Sequence, residues 1–150
     1  MESADPTGYR LLVADVYELA GESRRTSEAL AREVGQSAAR WHVLSVVSDG
    51  PRTVASAARR LGLARQSVQR VVDELVAAGQ LELRSNPDHA RSPLVTITTT
   101  GGDTLARLVR RSDADRAELL GRAGVTRAEL DQARGVLGRL LVAMHEPSAG

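Results

Sequence analysis

Residues recurring at three- and four-residue steps dominate this chain. Leu12, Val16, Leu19, Ser23, Ser27, Leu30 and Val34 share one face at that spacing and predict a long helix over Thr7 to Val34. Gly21 lies inside it, at a place suited to a bend. Gly35-Gln36-Ser37 interrupts the pattern, and Ser37 suits a helix N-cap. A second helix then runs to about Val47, with Val43, Leu44 and Val47 inward, before a turn at Asp49-Gly50-Pro51. Thr53 is placed to cap a third helix, Val54 to Leu61, which turns Val54, Ala57, Ala58 and Leu61 to the core. After a tight turn at Leu61-Gly62-Leu63, Arg65 to Ala78 reads as a fourth helix with the stripe Val68, Val71, Val72 and Leu75. Gly79 stops it.

The period then changes. Leu81 to Arg84 and Leu94 to Thr98 read as paired strands, and Ser85 to Pro93 is the loop between them, excluded from the ladder by its two prolines. Helical spacing returns at Thr99, through Leu105, Leu108 and Leu119, until Gly121 to Gly124 breaks it. Thr126-Arg127-Ala128-Glu129 is a capping box opening the last helix. Leu130, Ala133, Leu137, Leu140 and Met144 then form a coiled-coil-like seam. Helix, tight turn, helix and two-stranded ribbon, in that order, make a winged helix. The predicted fold is therefore mainly α with a small β-wing: a winged helix-turn-helix flanked by N- and C-terminal dimerisation helices. We read residues 1–150 as one domain, with a DNA-binding lobe at about 50–100 and dimerisation helices at about 7–34 and 100–145. A recognition helix of this size fits the major groove of duplex DNA, and the ribbon reaches a neighbouring groove. The flanking helices carry more apolar surface than so small a lobe can cover, which points to a second copy of the chain.

Composition narrows the function classes. The chain has 150 residues, 42% hydrophobic and 26% charged, as expected of a globular protein. Only 2% are aromatic, so the core is built from Leu, Val and Ala. The absence of cysteine removes disulfides, thiolate zinc sites and thiol redox sensing. No leader pattern and no apolar run of membrane-spanning length is present, which predicts a cytoplasmic protein with no membrane partner. His42, His89 and His145 are scattered, and there is no Gly-x-Ser-x-Gly, phosphate loop, Cys or Lys. Neither an enzyme nor a metal or cofactor site is predicted.

Charge falls unevenly. Residues 50–92 carry seven arginines against four acids, whereas residues 1–49 carry five against eight. Arg59, Arg60, Arg65 and Arg70 lie in a stretch with no acid, an electrostatic footprint for phosphates. On the recognition helix Gln66, Ser67, Gln69, Arg70 and Asp73 are left to face outward, and Arg65 at its start joins the DNA-contact candidates. Gln can read adenine and Arg can read guanine through paired hydrogen bonds. Arg91 at the wing tip suits a narrow minor groove, where the negative potential is enhanced. Arg52 and Arg84 are lesser phosphate candidates, and Thr53 and Ser56 candidates for backbone positioning.

These pieces together resemble the MarR family of bacterial transcription regulators over nearly the whole chain. The resemblance is carried by Trp41-His42-Val43-Leu44, by TVASAARRLGL at 53–63 and by QSVQRVVDEL at 66–75 with Gly79. It continues through the wing sequence NPDHARS at 86–92 and LVTITTTG at 94–101. It implies a homodimer on a roughly palindromic operator, as repressor or activator, often released by a small aromatic or anionic effector. It also implies that Trp41 and His42 lie where dimerisation helices meet the DNA-binding lobe, and with Tyr9 and Tyr17 they are candidates to line an effector pocket. Trp41 as core packing and His42 as a surface residue are the alternative. Two positions depart from the family: His89 stands where Asp is common and Ala90 where a second Arg is common. An Asp–Arg brace within the wing therefore lacks an Asp at its usual place. The alternative function is a winged-helix protein-interaction module without DNA binding.

Overall fold

Most helices of the computed structural model, which describes residue 3 and residues 5–147, begin where the sequence supplies a capping oxygen. The Asp5 carboxylate accepts from the Thr7 amide at the start of α1 (Pro6–Glu33). Ser37 does the same for α2 (Ala38–Ser48), and Thr53 for α3 (Val54–Leu61). Helix α4 (Arg65–Ala77) follows Ala64 and has no side-chain cap. Strands β1 (Leu81–Arg84) and β2 (Leu94–Ile97) pair antiparallel, from Leu81 opposite Ile97 to Arg84 opposite Leu94. Helix α5 (Thr99–Ala123) and helix α6 (Arg127–His145) complete the order. Thr126 and Glu129 form the reciprocal capping box predicted for α6.

Several element ends move by one residue from those predicted, as at α1 (Pro6–Glu33 for Thr7–Val34) and α4 (Ala77 for Ala78), and two differences have a clear local cause. Strand β2 ends at Ile97 because the Thr98 hydroxyl turns to accept from the Gly101 amide at the start of α5. Gly121 does not break α5, which runs on to Ala123. One glycine costs a helix only about 1 kcal/mol against alanine, and Leu119, Leu120, Arg122 and Ala123 around it are good helix formers. At Gly101 glycine is required for another reason. A β-carbon there would stand 2.1 Å from the backbone carbonyl oxygen of Gln80.

Two apolar clusters, both within residues 30–108, form the core. The larger joins Val43, Leu44 and Val47 of α2 with Ala57 of α3, Val68, Val72 and Leu75 of α4, and Leu81 and Val95 of the strands. The stripes predicted for α2, α3 and α4 all turn inward. The smaller cluster packs Trp41 of α2 against Leu30 and Ala31 of α1 and Leu108 of α5. By contacts the chain divides into two compact units, the division falling within α5 between Ser112 and Asp113. The first unit holds both clusters. In the second, from Asp113 to the last described residue, nothing is buried, and only Leu137, Gly138 and Leu140 are half-buried. Among the described residues no helix is long and apolar enough to cross a membrane.

Candidate nucleic-acid interface

The turn between α3 and α4 sets the angle of the recognition helix. Gly62 adopts a φ of +67°, which L side chains rarely take, and the Leu63 amide bonds back to the Ala58 carbonyl at 3.0 Å. Helix α4 then buries Val68, Val71, Val72 and Leu75. What remains outward is the polar face predicted for it. Arg65, Gln66, Ser67 and Arg70 are exposed, and Gln69 is half-exposed. Gln69 donates to Asp73 at 2.9 Å, one turn on, so part of the nearby negative charge is engaged along the helix. Arg65 and Arg70 have no ion-pair partner among the described residues. With no side chain capping α4, its first backbone N–H groups also stay free for an acceptor, as anion-binding helix ends require.

Not every arginine singled out from sequence is equally available. Arg84 lies on β1 and pairs with Glu82 two residues back, at 2.7 Å. Arg52 is half-buried and donates from Nε to the Val46 carbonyl at 3.1 Å and from Nη1 to the Ser56 hydroxyl at 3.3 Å. Its backbone joins the ribbon, exchanging hydrogen bonds with Val95 at 3.2 and 2.7 Å. Residue 52 is thus a one-residue third strand, which hydrophobic periodicity cannot reveal in so short a segment. Thr53 caps α3 with its hydroxyl, so that oxygen is committed to the Ser56 amide.

The wing loop is braced by Asn86. Its side-chain nitrogen donates to the Ser92 carbonyl at 2.9 Å, and its oxygen accepts from the Asp88 amide at 3.0 Å. This fastens the loop without the Asp–Arg pair for which His89 leaves no Asp. Arg91 stays exposed, with no ion-pair partner among the described residues.

The four aromatic candidates do not come together within one chain. Trp41 is 3% exposed in the smaller cluster, and its ring centroid is 6.4 Å from that of half-buried His42. Tyr9 and Tyr17 lie on the first half of α1 and are exposed. Trp41 instead packs against Leu30 and Ala31 at the far end of that helix. At the helical rise per residue, Tyr17 is roughly 20 Å along α1 from Leu30. Trp41 therefore serves as core packing here, and a four-residue pocket is not formed by the chain alone.

The order of elements, the polar face of α4 and the braced ribbon coincide with a known family. The model of the MarR family matches residues 34–92, from the end of α1 through the wing loop. Three mycobacterial proteins named as uncharacterised, from Mycobacterium bovis and Mycobacterium tuberculosis, are 47% identical over 133 residues. The match covers 89% of this chain and 92% of each of theirs. The chain belongs to the MarR family. MarR-type folds of known structure agree with it along most of the chain. The transcriptional regulator BldR from Sulfolobus solfataricus has a TM-score of 0.76 at 20% identity, covering 91% of this chain and 99% of its own. A mutant MarR from E. coli, complexed with operator DNA, has a TM-score of 0.65 at 20% identity, covering 92% and 99%. At these identities the likeness is one of fold.

Proposed function

We propose that this MarR-family chain is a non-enzymatic transcription regulator that binds a palindromic operator as a homodimer. Helix α4 enters the major groove and the wing enters the minor groove. The observation that carries the reading is the outward face of α4, where Arg65, Gln66, Ser67 and Arg70 are exposed over a fully apolar inner stripe. Arg70 and Arg91 in particular have neither acid nor packing to occupy them among the described residues. The relative of like fold that has been seen with operator DNA supports this choice of ligand.

Dimerisation is the second part of the proposal. The described residues from Asp113 onward contain no buried side chain, and along α1 only Ser27, Leu30 and Ala31 are buried. Leu11, Tyr17 and Leu19 of α1 and Leu130, Leu141, Val142 and Met144 of α6 are exposed. Helices that bury so little on their own draw their stability from a partner. A cytoplasmic location follows from this role. Release by a small aromatic or anionic effector completes the reading. An effector reaching Trp41 must open the packing around it, so binding and rearrangement of the α1–α2–α5 contact are one event.

The test is an electrophoretic shift with the duplex upstream of the protein's own gene, against scrambled duplex at matched salt. Preferential binding of the upstream duplex supports the proposal. Equal, weak binding of both, or none, overturns it in favour of a protein-interaction module.

A further inference from the structure

One arginine in the first unit joins three elements, two through its guanidinium and one through its backbone. Residues 45–48 end α2, where backbone carbonyls lack helical partners. The Val46 carbonyl is one of these, and it accepts from Arg52 Nε at 3.1 Å. Ser56 lies in the first turn of α3, and its hydroxyl accepts from Arg52 Nη1 at 3.3 Å. Through its backbone, Arg52 also holds β2. The Val95 amide donates to the Arg52 carbonyl at 2.7 Å, and the Arg52 amide donates to the Val95 carbonyl at 3.2 Å. Val95 is 1% exposed and lies opposite Leu83 on β1, so β2 runs between β1 and Arg52. Arg91 stands four residues before Val95, on the loop that β2 anchors.

We infer that Arg52 is a positioning residue for DNA binding: it bolts the wing to the helix-turn-helix and so fixes where Arg91 lies, rather than contacting a phosphate itself. Among the described residues no acid neutralises it; its charge is held by neutral oxygens at fixed directions, a task for the planar fork of Arg and not for the point charge of Lys. The inference rests on the DNA-binding reading for its consequence, though not for the brace itself.

Charge and geometry are separated by comparing Arg52→Lys with Arg52→Gln on the upstream duplex, each alone and with Arg91→Ala. A positioning role predicts that both weaken binding by about five- to tenfold, the lysine failing to rescue. In the Arg91→Ala background neither weakens it further by more than about twofold, since the wing contact is already gone. Loss of fold stability alone does not produce that dependence on Arg91. In the free protein, the Val95 amide exchanges about tenfold faster in both variants while the Val72 and Leu75 amides of α4 are unchanged. Should the Arg52 variants fail to fold, Ser56→Ala removes one acceptor and leaves the charge. It is expected to cost about two- to threefold, again only when Arg91 is present.

The inference is overturned if Arg52→Lys binds like wild type while Arg52→Gln does not and its effect multiplies with that of Arg91→Ala. Those results assign Arg52 to a phosphate. Unchanged Val95 exchange in folded variants, or no effect of Ser56→Ala, overturns it equally. Failure of the wild type to bind any duplex sinks the DNA-binding reading instead, and Val95 exchange then decides the brace by itself.

Discussion

Arg70 and Arg91 are both exposed arginines of one unit, yet their surroundings predict different failures. Arg70 rides on a helix whose opposite face is fixed in the core, so its reach is defined. If it reads a base, Arg70→Ala costs ~1–3 kcal/mol of operator affinity and relaxes preference at one position per half-site. Arg91 lies on a loop held at Asn86 and Ser92, and its contribution is mainly charge. Arg91→Ala then weakens related sequences alike and lowers the salt slope by about one unit per lost phosphate contact. Salt titrations of both variants on upstream and scrambled duplex distinguish the two patterns. Unchanged affinity in both moves the DNA surface off the winged helix. A third residue tests the fold itself. Gly101→Ala places a β-carbon against the Gln80 carbonyl, which cannot yield without moving the α4–β1 junction. Denaturant unfolding is expected to show a loss of ~1–3 kcal/mol, typical of overpacking; an unaffected midpoint contradicts so close an approach.

The capping box of α6 makes a prediction at the scale of an element. The backbone and hydroxyl of Thr126 both donate to the Glu129 carboxylate and hold its pKa below the usual 4.5. A carboxyl with a lowered folded pKa adds stability that is present above its unfolded value and is lost as pH falls through the folded one. Wild type is therefore expected to exceed Glu129→Gln in thermal stability near neutrality, with the gap closing in acid. A gap that stays constant with pH shows that the box carries no ionic component. This box, like the caps at Ser37 and Thr53, was legible because a cap is written in residues three apart. The stripes of α2, α3 and α4 were legible for the same reason of local period. The bridge of Arg52 to Val95 and the brace at Asn86 were not. They depend on backbone and side-chain bonds across a fold not yet built, at positions whose residue types suit a solvated loop equally well. Trp41 shows the limit from the other side: its family position drew it into a pocket with Tyr9 and Tyr17, but the length of α1 keeps them apart.

On the scale of the molecule the unpartnered apolar surface of α1 and α6 is the feature that the DNA-binding reading must explain. Along α6 the sequence seam named Leu137 and Leu140, but both are half-buried within the chain, so charging them would confuse folding with assembly. Leu141 and Met144 are better probes. They are 49% and 59% exposed and lie on one helical stripe with Leu130 and Leu137. Replacing both with Glu leaves the chain's own clusters untouched, since neither residue belongs to them. In an apolar two-fold interface each charge is buried twice, at a cost of several kcal/mol in total, roughly the lower end of what an unpaired buried polar group demands. Sedimentation equilibrium is expected to show a wild-type dimer at micromolar concentration and a folded monomer for Leu141→Glu/Met144→Glu. The monomer should also lose the footprint of two half-sites about 10 bp apart, because that spacing is set by the two-fold axis and not by either winged helix. A wild type that sediments as a folded monomer, or a double variant that remains a dimer with an intact footprint, places the pairing surface elsewhere or removes it.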